Sequence, residues 1–489
     1  MLRTTDPRSR SRAVFPVLAL VVIAVNLPQS VVVPVLSGLQ ADYGTDQVTA
    51  TWLITGFLLS SGVATPLLGR LGDSYGQRRI LAVVLLVLAL GCLGSALATT
   101  IGWQIAMRVV QGISGGAVPV AFSALRAAVP PERLGYGAAI LATVGSIAFS
   151  VGIVLAGPIL VEMGRTALFL LPMGLAVVAL VGVLLVLPPS GSRTPGDGRF
   201  GVLPVVLFAG ALVCTLLAIS RSSFLGWTSP MVLALAGAGL ILGLAWSDQE
   251  RRARVPFVDL RMMRLRGVWT ANLVAFLAGV GLFGCAAGLP RLIQAPPDSG
   301  VGIGASLSEV GLLMSPIALA AFLTSLCTGR LYRLFSSRSL LVAGGLISSA
   351  SFVGMAAWNG EWWLISGWCV VQGIGNGLIL STVAAVVVAS VPAGQTGVAN
   401  GVNTNIRTLG GSLGAAATAA ILTAYAGSAG LDGVGYVAAF VVLAAAMALS
   451  AGAALLIPHD GARTPGPEPD PVVSDAGLAG PTTTHPEPG

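Results

Sequence analysis

The stretch Gly69-Arg70-Leu71-Gly72-Asp73-Ser74-Tyr75-Gly76-Gln77-Arg78-Arg79-Ile80-Leu81 lies between two apolar runs, Thr49 to Leu68 and Ile80 to Thr99. Each run is long enough to cross a hydrocarbon layer of roughly 30 Å at about 1.5 Å per helical residue. The break between them is short and charged. Gly69 and Gly76 let two helix ends approach and turn tightly. Asp73 is suited to accept from helix-end amides or a guanidinium, and Arg78 and Arg79 to anchor the next helix at a membrane surface.

The rest of the chain repeats this pattern. Of its 489 residues 55% are apolar and 9% charged, with a mean hydropathy of +0.88. Soluble globular proteins carry roughly 25% charged residues, so a water-soluble domain is excluded. A window of about 19 residues finds fourteen membrane spans. They begin with Val14 to Ser37, Thr49 to Leu68, Ile80 to Thr99, Trp103 to Arg126, Gly135 to Val161 and Ala167 to Leu187. Val202 to Ile219 and Pro230 to Trp246 follow a polar stretch, Pro188 to Arg199. The last six are Val268 to Leu289, Leu307 to Cys327, Leu340 to Ala357, Trp362 to Ala389, Gly397 to Tyr425 and Gly433 to Ile457. The first run exceeds the core of a signal peptide, so it is expected to be a retained helix.

All 26 basic residues are arginine, set against 19 carboxylates. With fourteen spans both termini share one face, and 21 of the 26 arginines fall there. Only Arg165, Arg221 and Arg291 fall on the other, while Arg108 and Arg407 lie inside spans. Positive charge collects on cytoplasmic flanks, which puts both ends in the cytoplasm of a plasma-membrane protein. The five cysteines (Cys92, Cys214, Cys285, Cys327, Cys369) are scattered through spans, as packing residues rather than a disulfide or metal set. His459 and His485 lie in a Pro-, Gly- and Thr-rich tail expected to be disordered.

An internal repeat divides the chain. Val109-Val110-Gln111-Gly112-Ile113 returns as Val370-Val371-Gln372-Gly373-Ile374, and Gly69-Arg70-Leu71 as Gly329-Arg330-Leu331, offsets of 261 and 260. The expected fold is therefore an all-α integral membrane protein: two pseudo-symmetric six-helix bundles plus two extra transmembrane helices. Its parts are a cytoplasmic N-terminus (1–13), an N-terminal half (14–188), a linker with the added helices (189–266), a C-terminal half (267–457) and a tail (458–489). Gly112/Gly116 and Gly373/Gly377 have the spacing of close helix contacts.

At Gly69 to Arg79 the chain resembles the major facilitator superfamily, whose signature between the second and third helices has a Gly, a Leu, an Asp, a Gly and basic residues at this spacing. Asp73 stands at the family's charge-relay carboxylate and Arg78 and Arg79 at its basic positions, with Ser74 and Gln77 replacing two others. Arg108-Val109-Val110-Gln111-Gly112 is similar to a second signature, with an intramembrane Arg followed by Gln and Gly on the same helix face. The fourteen spans, the mid-chain insertion and Asn403-Thr404-Asn405-Ile406-Arg407-Thr408-Leu409-Gly410-Gly411 look like the fourteen-helix drug:proton antiporter branch. The resemblance implies alternating access, a small-molecule substrate and a proton counter-ion. Two positions depart from that branch. Pro28 occupies the place of a first-helix acid, and Gly152-Ile153 that of a Gly-Pro in the fifth helix.

An intramembrane arginine costs roughly 2.5–3.5 kcal/mol on insertion scales unless it meets water or a partner, which singles out Arg108 and Arg407. Together with Gln111, Gly112 and Glu309 they are the coupling candidates. The cavity candidates are Asn26, Gln29, Trp52, Asn272, Gln372, Asn376 and Asn403, joined by Ser30, Thr55, Asn400 and Asn405. An apolar wall with a few amides suits a lipophilic drug, antibiotic or lipid-like metabolite, and two arginines without a deep acid admit an anion more readily than a strong cation. The chain has no Gly-x-x-x-x-Gly-Lys-Ser/Thr phosphate loop and no His/Cys cluster, so an ATP-driven pump or metalloenzyme is not expected, nor a cofactor. The expected partners are the bilayer, a lipophilic substrate and a proton, with no nucleic acid, and the expected state is a monomer. A carrier of the same fold without proton antiport is the alternative, motivated by Pro28.

Overall fold

A computed structural model describes residues 7–32, 35–45, 47–188, 202–253, 256, 258–297, 301–332, 334–392, 395–427, 430–431 and 433–458. The polar stretch 189–201, both histidines and the tail from 459 lie outside the described residues. The helices are α1 (Pro7–Val31), α2 (Leu36–Asp42), α3 (Gln47–Tyr75), α4 (Gln77–Ala96), α5 (Ile101–Gly112), α6 (Ala117–Ala128) and α7 (Pro131–Val186). They continue with α8 (Val202–Leu225), α9 (Pro230–Arg252), α10 (Leu260–Met263), α11 (Arg266–Gln294), α12 (Leu307–Leu331) and α13 (Ser337–Ala357). Last come α14 (Trp362–Ser390), α15 (Thr396–Ala424) and α16 (Gly433–Ala454). The described strand structure is a two-residue ladder, Ala426–Gly427 against Gly430–Leu431.

Among the described residues, twelve helices are long and apolar enough to cross a membrane. One of them, Ile140–Val186, carries two of the expected spans and is broken at Gly164, whose φ of 78° and ψ of 175° no helix contains. α15 is outside the twelve although its 29 residues match α11 and α14 in length. It is less apolar because Asn400, Asn403, Thr404, Arg407 and Thr408 fall on one face at three- and four-residue spacing.

The apolar cores are segregated along the chain. One cluster draws its buried residues from Val258 to Ile457. A second runs from Val14 to Leu187 with Ala384 and Val388 added, and a third from Leu27 to Phe169. α8 and α9 pack on each other, and α8 also lies against α3 and α15. The outward surface is apolar, as a lipid-facing surface must be: Leu90, Val178, Leu185, Leu240 and Ile241 are all exposed. Trp103, Trp227, Trp358, Trp362 and Trp363 are exposed at or beside helix ends, where amphipathic rings anchor a membrane boundary.

The glycine motif differs from a loop. α3 continues unbroken through Gly69 and Asp73 to Tyr75, and the reversal is made by Gly76 alone, at φ 97°. Only a residue without Cβ adopts that backbone cheaply. Gly69 serves a different end, a backbone contact described below.

The repeated glycine pairs do equivalent work. A Cβ on Gly112 would strike the Ser60 side chain and the Phe57 carbonyl of α3, and one on Gly116 would come 2.9 Å from Ala64 O. A Cβ on Gly373 would strike Ile317 O of α12 and come 2.7 Å from the Ala320 Cβ, and one on Gly377 would come 2.6 Å from Ala321 O. In each case the neighbouring atom is backbone or a stiff Cβ, so the helix must move. We expect Gly373→Ala to destabilise the purified protein by about 1–3 kcal/mol in a thermal melt. Gly367→Ala, in the same helix with nothing within 4 Å, should be neutral or mildly stabilising.

Candidate functional site

A central cavity of about 190 Å³ lies between the two groups of helices. α1, α3 and α7 line it from one side, with Asn26, Gln29, Phe57, Ser61, Thr65 and Phe149. α11, α14 and α15 line it from the other, with Phe283, Asn376 and the polar stripe of α15. Phe149 and Phe283 meet edge to face across it, ring centroids 6.5 Å apart. Sites that enclose drug-sized ligands run to roughly 300–1,000 Å³, a range this cavity falls below.

The cavity is sealed on the side where the arginines gather by a strip of contact between α3 and α15. Asn405 Nδ2 donates to Gly62 O at 2.7 Å. A Cβ on Gly401 would be 2.9 Å from Pro66 Cα, and one on Gly69 would be 2.8 Å from Gly397 O. The Asp73 carboxylate sits at this crossing, beside Ser123 and the Gly397 backbone at the first turn of α15, with its Oδ2 and the Ser123 hydroxyl making no hydrogen bond with the described residues. A helix N-terminus favours an anion there. Arg126, ending α6, donates through Nη1 to Val388 O (2.8 Å), Val391 O (2.9 Å) and Thr396 Oγ1 (2.8 Å), tying α6 to the junction of α14 and α15. Arg78 donates to Leu184 O at 2.6 Å near the end of α7, and Arg79 is exposed.

The two intramembrane arginines have opposite surroundings. Arg108 is 1% exposed and closed in. Its Nε donates to Leu53 O (2.9 Å), its Nη1 to Pro28 O (2.9 Å) and to Gln111 Oε1 (2.8 Å), and its guanidinium lies 4.4 Å from the centroid of the Phe57 ring. Gln111 passes the network on, donating to Gly91 O (3.0 Å) and Ser95 Oγ (2.7 Å). Arg108 thus joins α1, α3 and α5 and does not line the cavity. Arg407 does line it, and makes no hydrogen bond or ion pair with the described residues.

The other expected site residues divide in the same way. Asn26, Gln29, Asn376, Asn400, Asn403 and Asn405 line the cavity. Asn272 sits one layer behind, accepting at 2.8 Å from Asn403 Nδ2 and fixing that amide. Gln372 is buried beside Asn376, its Oε1 without a partner among the described residues. Ser30 is buried and donates to Leu27 O. Trp52 is turned away, its ring under the Arg221 guanidinium at 5.4 Å. Glu309 is exposed at the start of α12, where it closes a capping box with Ser306 and accepts from the Ser306 N–H at 2.7 Å. It belongs to the helix end rather than to the cavity.

Phe57, Ser61 and Thr65 went unrecognised in the sequence, although their four-residue spacing puts them on one face of α3. Phe149, Phe283 and Phe122 carried no signal, since an aromatic in a span reads the same toward lipid, core or cavity. Among the described residues no cluster of His, Cys, Asp or Glu could hold a metal ion, and no carboxylate lines the cavity.

Long apolar helices packed around a central, mostly apolar cavity with a few polar groups, closed by contact between two packed groups, are the architecture of a membrane transporter. The chain belongs to the Major Facilitator Superfamily, whose family model matches residues 18–415 and again 271–483. It is 26% identical over 419 residues to the Tetracenomycin C resistance and export protein of Streptomyces glaucescens, covering 84% of this chain and 76% of that protein. It is 27% identical over 410 residues to a probable actinorhodin transporter of Streptomyces coelicolor, covering 80% and 68%. A multidrug resistance protein B homolog of Mycobacterium tuberculosis is 31% identical over 284 residues, covering 55% of this chain and 52% of that one. In fold the chain is similar to the crystal structure of the human organic anion transporter TETRAN, with a TM-score of 0.66 at 17% identity over 91% of this chain and 99% of that one. Proteins of this family and fold transport and are not enzymes.

Two outcomes follow from the geometry. Arg108→Ala strands the carbonyls of Pro28 and Leu53 and should cost about 2–3 kcal/mol of stability in a thermal melt, and Arg108→Lys, lacking the planar fork, should recover only part of it. Arg126→Ala should loosen the seal. With native cysteines replaced and Ser61→Cys introduced, labelling by an impermeant thiol reagent should rise from the arginine-rich face and not from the other.

Proposed function

We propose that this chain is a secondary active exporter of hydrophobic and amphipathic small molecules, working by alternating access as a monomer in the plasma membrane with both termini in the cytoplasm. The observation that carries the reading is the small cavity, mostly apolar with a polar stripe on α15 and a few amides and hydroxyls on α1, α3 and α14, closed by a glycine-and-carboxylate contact between two bundles. Such a contact can break and re-form as the halves 14–188 and 267–457 rock, because it rests on backbone apposition and a few hydrogen bonds rather than on interlocked side chains. The names of the relatives, drug and antibiotic exporters, agree with a lipophilic cargo. We count fourteen spans in this reading, with α7 as two helices meeting at Gly164 and α15 as a span whose polar stripe faces the pathway. The pair α8 and α9, within 189–266, is then the insertion between the halves. The arginine bias supports the orientation.

Proton coupling, in this reading, runs through Asp73, the carboxylate at the seal. The absence of a carboxylate among the described cavity residues favours a second reading, a carrier of the same cargo that needs no proton antiport. Cells expressing the protein should accumulate less of a panel of lipophilic dyes and antibiotics than cells without it; equal accumulation across the panel would sink the proposal. In proteoliposomes, transport that follows an imposed pH gradient and loses that dependence in Asp73→Asn supports antiport. Transport indifferent to the gradient supports the second reading.

A further inference from the structure

The cavity contains a cation with no counter-charge. Arg407 is half-buried within α15 and lines the cavity. It has no hydrogen-bond, ion-pair or ring partner among the described residues, whereas the more deeply buried Arg108 has three acceptors and a ring. Its neighbours on the α15 stripe are Asn400, Asn403, Thr404 and Thr408, neutral groups that can orient a ligand but cannot neutralise a charge. Asn403 is itself held by Asn272, so its place on the wall is set in advance. No Asp or Glu among the described residues lines the cavity. A half-buried charge that faces a mostly apolar cavity with no protein partner is costly, and it is relieved by water or by an anion.

We infer that Arg407 is the binding group for an acid function carried by the substrate, so that the cargo is a lipophilic molecule with one carboxylate or comparable oxyanion. This rests on the proposed transport of amphipathic molecules and narrows it. The guanidinium forks onto the oxyanion with two parallel N–H···O bonds, and the apolar body lies against Phe57, Phe149 and Phe283. The preference is opposite to that of a site for cationic drugs, which needs a carboxylate in the same place.

The test uses purified full-length protein in lipid nanodiscs with two fluorescent probes, anthracene-9-carboxylate and its methyl ester, each measured after subtraction of empty discs. The acid should bind about ten- to a hundredfold more tightly than the ester. Arg407→Gln should abolish that preference, and Arg407→Lys should keep part of it. Equal binding of acid and ester by the unaltered protein overturns the inference and leaves the wider function standing, a result that does not depend on any variant folding. Binding of neither probe counts against the wider reading and removes the inference with it. Discs with added phosphatidylglycerol distinguish the source of the acid: competition that vanishes in Arg407→Gln shows the same guanidinium accepting a lipid phosphate.

Discussion

The arrangement depends on a place where two backbones touch. Gly69 on α3 and Gly397 on α15 are so close that a Cβ on either would lie within 3 Å of a carbonyl oxygen of the other. That proximity lets the Asp73 carboxylate reach the first turn of α15 and lets Arg126 reach across to the end of α14. A larger side chain at either glycine would hold the bundles apart, and with them the carboxylate and the helix turn it faces. In lipid there is no hydrophobic drive to press helices together, so packing and polar contacts decide whether the seal forms.

Inside the bundles the same rule produces two kinds of polar group. Arg108, Gln111, Ser95 and the carbonyls of Pro28, Leu53 and Gly91 form a network whose donors and acceptors answer one another. Such a network stiffens the bundle that carries it. Its repeat counterpart lacks the arginine: Cys369 occupies the place of Arg108, and Gln372 is left with a carbonyl oxygen unpartnered. The second bundle concentrates its polarity instead on α15, facing the cavity. The two copies of the repeat thus differ in their polar content, although both groups of helices contribute polar side chains to the cavity.

Much of this was legible in the residues. Run length and the arginine bias revealed a many-helix membrane protein, and the repeat of Val-Val-Gln-Gly-Ile pointed to helix contacts that Gly112 and Gly373 both make. Asn400, Asn403 and Arg407 stood out as polar groups within a span, and their common face with Thr404 emerged with α15 itself. The glycine-rich stretch at 69–81 misled in one respect, because glycine serves equally for a turn and for a close approach. Gly76 is the first and Gly69 the second, and local sequence carries no mark that separates them.

What the sequence alone determined was the solvent: with 9% charged residues the chain can be stable only where its surface meets lipid, and that requires helices with internally satisfied backbones. What only the tertiary structure decided was the fate of each polar side chain within those helices. Arg108 and Arg407 are chemically identical, and both sit in spans. Whether a guanidinium is satisfied depends on which carbonyls neighbouring helices bring within about 3 Å. Those carbonyls come from residues 53 and 28, far along the chain, and Arg407 has none among the described residues.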